Sequence, residues 1–236
     1  MKRVSTPDPN LDHAVRFLET IRGRRSVREF SDRPVSQAVI EHLIASAGSA
    51  PSGANKQPWR FVAVQDPKLK REIREAAEEE ERKLYEGRAN PDWLEDLAVL
   101  GTDADKPFLE TAPWLVIVFK QVRNPEPSLG TEQVYYANES VGIAVGMFLA
   151  AAQFAGLATL THTPSPMKFL GDILGRPEHE RAFMVIPVGH PAKESTHPDI
   201  RRKPLEAIMR VDRDRNPNED EPARPLPSSM PPPNDA

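Results

Sequence analysis

The run from Val141 to Ala155 is the most apolar stretch of the chain, about 15 residues flanked by Asn138 and Glu139 and interrupted by Gly142, Gly146 and Gln153. It falls short of the roughly 20 residues needed to span a bilayer. The pattern predicts instead a helix from Tyr135 to about Phe154, ended by Gly156. Because it is apolar nearly all the way round, it should run through the centre of the fold with other elements packed on its sides.

Two amphipathic helices lead in. Leu11 to Ile21 carries Val15, Leu18 and Ile21 on one face after the capping-competent Asn10. A second helix follows Pro34 and Val35, with Ser36 as N-cap; it carries Val39, Ile40, Leu43, Ile44 and Ala47 and ends by Gly48. Arg60 to Gln65 reads as a short strand closed by Asp66 and Pro67. Lys68 to about Gly87 predicts a highly charged, largely exposed helix, and Asn90 to Leu100 a further helical turn or two around Trp93, Leu94 and Leu97. The continuous apolar run within Pro113 to Lys120 predicts a central strand covered on both faces. Leu157 to Thr163 and Phe183 to Val188 complete the strands, with a short helix at Lys168 to Leu174 between them. This is the order of an α+β protein, a mixed sheet flanked by helices, and not a regular Rossmann alternation.

From Asp212 onward the chain has seven prolines and almost no large apolar residue. Such a segment buries too little surface to offset its ordering entropy. The expected organisation is one domain over residues 1–211 and a disordered proline-rich tail over 212–236, although a proline-rich ligand for a partner domain has the same composition.

Composition narrows the chemistry. The net charge is only −4 over 236 residues, so no global basic field points to nucleic acid or an anionic membrane. The absence of cysteine removes disulfides and thiolate chemistry, and the six histidines lack metal-ligand spacing, so no metal is expected. No apolar segment follows the basic residues of MKRVSTPDPN, and the expected location is the cytoplasm. Neither GxGxxG after the first strand nor a Walker A pattern is present.

Two short motifs remain. IRGRRSVREF at 21–30 surrounds Ser26 with Arg22, Arg24, Arg25 and Arg28, and guanidinium forks with a hydroxyl suit a phosphate. A solvated basic turn that pairs with carboxylates would have the same composition. Pro51, Ser52, Gly53 and Ala54 precede the first strand, and small residues there let a backbone come flush against a flat ligand and donate free N–H groups. An ordinary turn reads the same way.

Together, RRSVR at 24–28 and APSGANKQPW at 50–59 resemble the FMN-dependent nitroreductase superfamily. The resemblance narrows to its iodotyrosine deiodinase family through EEEERKLY at 78–85, WLEDL at 93–97, Lys106, TAPWLVIVFKQV at 111–122, YYANESV at 135–141, LGRPEHE at 174–180, PVGHPAKEST at 187–196 and PDIRRKPLEAIM at 198–209. It extends from about Leu18 to Val211; the N-terminal membrane anchor of the animal enzymes is expected to be absent. The resemblance implies a nitroreductase-like homodimer with FMN at the subunit interface. It further implies that Arg24, Arg25, Ser26, Val27 and Arg28 hold the ribityl phosphate end, with Arg202 as a further cation, that Ser52 and Gly53 touch the flavin, and that Thr161, His162 and Thr163 line its ring. Thr163 is the catalytic residue in this reading, because a hydroxyl donating to flavin N5 favours passing electrons one at a time over hydride transfer.

An amino-acid zwitterion needs an anion for its ammonium and a cation for its carboxylate. Glu81, Tyr85 and Lys106 supply both with a phenol to help, and Glu81 and Tyr85 are i,i+4 on one helix face. By composition alone Glu81 is one more carboxylate in the run Glu78 to Glu81; the resemblance puts it, with Tyr85 and Lys106, at zwitterion-binding positions. By the same resemblance the Ala54 N–H holds the phenolate oxygen, so that the ring stacks on the flavin. The implied activity is reductive dehalogenation of iodo-, bromo- or chlorotyrosine to tyrosine and halide, with NAD(P)H as ultimate electron donor, directly or through a reductase. A general NAD(P)H-dependent nitroreductase and a non-catalytic flavin- or tyrosine-binding sensor are the alternatives. After Thr163 the chain has Pro164, Ser165 and Pro166 where the animal enzymes have proline, leucine and asparagine, so it departs from them at Ser165 and Pro166, and also at His162, where they have threonine.

Truncation after Val211 is expected to leave folding and catalysis intact, checked by the melting temperature and turnover of the shortened chain.

Overall fold

The computed structural model describes residues 9–125, 128, 130–198 and 200–211; the expected tail over 212–236 lies outside them. The chain divides into two compact units, Met1–Pro198 and Asp199–Ala236. In the second unit the described residues form one short 3-10 turn at Leu205–Ala207.

In the first unit the layering follows from strand β2 (Trp114–Gln121), whose side chains alternate between two cores. Trp114, Val116 and Val118 join one cluster with Ile40, Leu43, Val141, Val145 and Phe148. Leu115, Ile117 and Phe119 join the other with Ile73, Ala77, Phe108, Leu109 and Leu170. The first cluster packs α2 (Gln37–Gly48) and α6 (Ala137–Phe154) on one face of the sheet, and the second packs α3 (Pro67–Lys83), α5 (Phe108–Thr111) and α7 (Lys168–Ile173) on the other. The indole N–H of Trp114 donates to the Val35 carbonyl at 2.8 Å and anchors the approach to α2.

The four strands run in the order β1 (Trp59–Val64), β2, β4 (Glu180–Gly189), β3 (Ala158–Thr159). All three ladders are antiparallel, with a bulge between Val118 and Phe119. The parallel part of the expected mixed sheet is a single bridge, Ser26 to Thr159. The strand expected over Leu157 to Thr163 is paired as a ladder only at Ala158–Thr159, with one further bridge from His162 to Val185.

Three helices depart from expectation. In α6 the face of Val141, Ala144, Val145 and Phe148 is buried, whereas Gly142, Ile143, Gly146 and Phe154 are exposed, so one apolar side is uncovered in the protomer. The same is true of α1 (Pro9–Arg22), which has no buried residue and leaves Leu11, Val15 and Leu18 exposed. The highly charged α3 is not largely exposed, because the stripe Lys70, Ile73, Ala77, Glu78 and Glu81 is buried. Its polar members are tolerated because each is paired; Lys70, for instance, donates to the carbonyls of Glu110 and Ala112 at 2.7 and 2.8 Å. Among the described residues no helix is long and apolar enough to cross a membrane.

At the end of β4 a Cβ on Gly189 would stand 2.4 Å from Cδ of Pro113, so Gly189→Ala is expected to destabilise the fold by about 1–3 kcal/mol. Chemical denaturation of the variant against the parent measures this.

Candidate functional site

The arginine segment leaves α1 after Arg22 and runs beside β3. Ser26 bridges Thr159 in parallel, and the Val27 N–H donates to the Thr159 carbonyl at 3.1 Å. Arg24, Arg25, Ser26, Val27 and Arg28 are all half-buried. Arg25 is turned onto the carbonyls of Arg22 and Arg24, at 2.7 and 3.0 Å. Among the described residues neither Arg25 nor Arg28 enters an ion pair, in contrast to Arg60, Arg71, Arg74, Arg88 and Arg176. Arg25 and Arg28 are thus not neutralised by neighbouring carboxylates among the described residues.

β3 leads directly into Thr161, His162 and Thr163. His162 exchanges backbone hydrogen bonds with Val185 at 2.9 and 2.8 Å, and the extended geometry exposes Thr161 and Thr163 while turning His162 inward. The buried imidazole meets the Phe108 ring edge-on with centroids 5.6 Å apart, and its Nε2 has no hydrogen-bond partner among the described residues. Burial, and then the charges of Lys106 and Arg28, lower its pKa from 6.5 to about 3. Of the three residues expected to line a ring, the two threonines present their side chains outward and His162 does not.

The turn before β1 is built around unusual backbone. Ala54, Asn55 and Gln57 have φ of 49, 55 and 48°, a left-handed region that costs free energy for side-chain-bearing residues and clusters at functional sites. The strain is held by the Ser52 hydroxyl, which accepts from the Gln57 N–H at 2.8 Å, and by Gly53, which lies against the start of α6. A Cβ on Gly53 would come 2.8 Å from the Tyr135 carbonyl. Within the turn the Gly53 N–H donates to the Ser140 hydroxyl at 3.4 Å, the Asn55 N–H to the Ser52 carbonyl at 2.9 Å and the Lys56 N–H to the Gly53 carbonyl at 3.1 Å.

The third part is a lid over residues 80–106. It comprises the end of α3, a π-helical turn at Leu84–Arg88 closed by the Ala89 N–H on the Leu84 carbonyl at 3.0 Å, and α4 (Pro91–Val99), capped by the Asn90 side chain. It brings Glu81, Tyr85 and Lys106 together. Lys106 Nζ stands 3.4 Å from Glu81 Oε2, with side chains only 2% and 11% exposed, and 5.8 Å from the centroid of the Tyr85 ring. Nζ also donates to the Thr102 hydroxyl at 3.3 Å and to the Asp103 carbonyl, while the Tyr85 hydroxyl donates to the Thr102 carbonyl at 3.1 Å. Burial pushes the Glu81 carboxyl up, partly offset by Lys106, and burial likewise pushes the Tyr85 phenol up.

Glu78 was not singled out from the sequence. Its Oε1 accepts the Lys106 backbone N–H at 2.8 Å, and Arg74 holds it at 3.3 Å while also bonding Glu110 at 2.7 Å. The available signal was its i,i+4 spacing from Arg74 and its place three residues before Glu81 on the same helix face. Arg202 belongs to the second unit, described by itself, where it is exposed.

The family model described as the nitroreductase family matches residues 21–190. The chain belongs to the nitroreductase family. Its relatives within that family include an iodotyrosine deiodinase of Haliscomenobacter hydrossis, 50% identical over 205 residues that cover 87% of this chain and 92% of that one. Iodotyrosine deiodinase 1 of Homo sapiens is 48% identical over 197 residues, covering 82% of this chain and 67% of the human one. A crystal structure of oxidized iodotyrosine deiodinase bound to FMN and 3-iodo-L-tyrosine matches with a TM-score of 0.70 at 29% identity, covering 83% of this chain and 98% of that one.

An imidazole kept neutral by the fold is protonated first in the unfolded chain as pH falls. The contribution of His162 is therefore complete above its ordinary value of 6.5 and is lost as pH drops from there toward about 3, at about 1.4 kcal/mol per pH unit. Between pH 6.5 and 5, before carboxylates titrate, His162→Leu is expected to flatten the fall in unfolding free energy seen in the parent, as measured by denaturant titrations at each pH.

Proposed function

We propose that this chain is an FMN-dependent reductive dehalogenase of halogenated tyrosines, taking iodo-, bromo- or chlorotyrosine to tyrosine and halide. It acts as a cytoplasmic homodimer, with NAD(P)H as ultimate electron donor, directly or through a reductase. The observation that carries the reading is the buried Glu81 and Lys106 pair, 3.4 Å apart beside Tyr85. A buried ion pair costs desolvation that a hydrophobic pair would avoid, and this one offers one acceptor for an ammonium and one donor for a carboxylate. Nitroaromatics carry neither group, which favours the halotyrosine over the general nitroreductase reading.

The residues present fit FMN. Arg24, Arg25, Ser26 and Arg28 offer charge-assisted donors for a phosphate from one short segment, and Val27 belongs to the same segment. That segment is joined through β3 to Thr161, His162 and Thr163, of which the two exposed threonines offer hydroxyls suited to the ring of the same molecule. When bound, FMN supplies the two electrons that, with one proton, replace the carbon–halogen bond by carbon–hydrogen and release halide. The chain's own part is to hold the ammonium on Glu81, the carboxylate on Lys106 and Tyr85, and the phenolate oxygen on the Ala54 N–H. Ser52 and Gly53 would lie against the flavin, and the Thr163 hydroxyl would donate to its N5.

Two observations support the homodimer. The Ser52 to Ala54 turn precedes β1 and the arginine segment borders β3, which are opposite edges of the sheet, about 14 Å apart by three strand spacings. That separation favours a site in which a second copy supplies one of the two halves. The apolar faces of α1 and α6, with Leu11 61%, Phe17 60% and Phe154 80% exposed, are the kind of surface a permanent interface covers.

Glu81→Gln and Lys106→Ala are each expected to weaken binding of 3-iodo-L-tyrosine by about ten- to a hundredfold, the worth of one charge-assisted hydrogen bond away from water. FMN content should not change, and 2-iodophenol should be indifferent to either substitution. Titration by flavin fluorescence, with halide release measured on the same reduced sample, decides the matter; iodophenol binding as tightly as iodotyrosine would point to a general nitroreductase.

A further inference from the structure

Arg88 ends the π-helical turn, and its charge also acts on Glu81, helping to offset the upward push of burial on that carboxyl. Its Nη2 donates to both the backbone carbonyl and Oε2 of Glu80, each at 2.7 Å, and its Nη1 donates to the carbonyl of Ser165 at 3.1 Å. Among the described residues this last contact is the one hydrogen bond between the lid and the turn over residues 161–167. Both ends of it border the proposed chemistry. Glu80 adjoins Glu81, and Ser165 follows Thr163 by two residues.

The extra residue in the π-helical turn explains how one short segment serves two sites. A π turn widens the helix and re-aims the side chains that follow, so Tyr85 points to Thr102 and the Lys106 ammonium while Arg88, three residues on, reaches the other loop. Prolines on both sides of Ser165 restrict that loop, and a pull on the Ser165 carbonyl is therefore passed along the backbone toward Thr163. Glu80 is itself fixed by Lys83 at 2.9 Å, so the guanidinium is held from the α3 side. A lysine has no planar fork to span both partners.

We propose that Arg88 is a positioning residue that fastens the lid to the Thr163 turn, so that ordering of the clamp around a bound zwitterion also orders the hydroxyl that faces the flavin. This rests on the substrate reading above, and it adds a specificity device: a ligand that does not hold the end of α3 does not steady Thr163. The sequence departure at Ser165 and Pro166 lies at the receiving end of this contact, and because the acceptor is a backbone carbonyl the contact does not depend on the Ser165 side chain.

The test uses the full FMN-loaded chain with Arg88→Met and Arg88→Lys. In hydrogen–deuterium exchange without ligand, Arg88→Met should speed exchange in both 84–89 and 161–169 by about three- to tenfold, the range for a partly exposed charge-assisted contact, with no change in α6. Faster exchange in 84–89 alone would overturn the fastening. In flavin-fluorescence titration with 3-iodo-L-tyrosine, Arg88→Met should raise Kd by a similar factor and shrink the bound-state change in the flavin absorption spectrum, and Arg88→Lys should restore only part of either. An unchanged Kd and spectrum in Arg88→Met would also overturn it. Failure of the parent itself to bind 3-iodo-L-tyrosine would remove the substrate reading, and the exchange measurement would then decide the Arg88 contact by itself.

Discussion

A lysine ammonium buried to 2% exposure governs the architecture of the candidate site. Taking such a charge out of water costs several kcal/mol unless it is paired and hydrogen-bonded. Lys106 meets that demand through Glu81, Thr102 and the Asp103 carbonyl, and its backbone N–H is fixed separately by Glu78. Glu78 in turn is tied to Arg74, and Arg74 to Glu110 on α5. The chain of contacts starts on α3, passes through the lid and ends on the helix that carries Phe108 and Leu109 into the core. The clamp is thereby part of the packed structure, and the edge contact of Phe108 with His162 extends it to the turn beside β3.

The same layout keeps the two halves of the proposed flavin site apart within one protomer. β2 is buried on both faces and fixes β1 and β4 on either side of it, so the elements that begin at the outer strands are held apart by the width of the sheet. The strained turn at 53–57 and the arginine segment each have their own local support, from Ser52 and the start of α6 in one case and from Thr159 in the other. Neither support reaches across. Together with the uncovered sides of α1 and α6, this supports the proposed homodimer, in which a second copy would complete the ligand site and cover apolar surface at once.

Much of this was legible in the chain itself. Hydrophobic period is a local property, and it located β2, α2 and the buried half of α6 to within a residue or two. The arginine segment, the small-residue turn and the i,i+4 pair Glu81 and Tyr85 are also local, and the elements needed to present them could be read from the same stretches. What the chain could not display is which polar residues end up inside. The carboxylates of α3 look alike in sequence, yet Glu78 and Glu81 are buried while Glu75 and Glu79 remain in solvent. That difference depends on Lys106, which is 25 residues beyond Glu81 and reaches it only because the lid folds back.

The sequence by itself located most of the helices and strands and the α+β class, because their periods are written within a few residues of one another, and its resemblance to a known family supplied the candidate chemistry. Only the tertiary structure decided that His162 turns inward, that Glu78 holds the Lys106 backbone, that Arg88 reaches Ser165 and that the apolar sides of α1 and α6 stay open. Each of these depends on which distant groups share a desolvated space, and the cost of burying a charge or an apolar face is set by those neighbours and not by the residue that carries it.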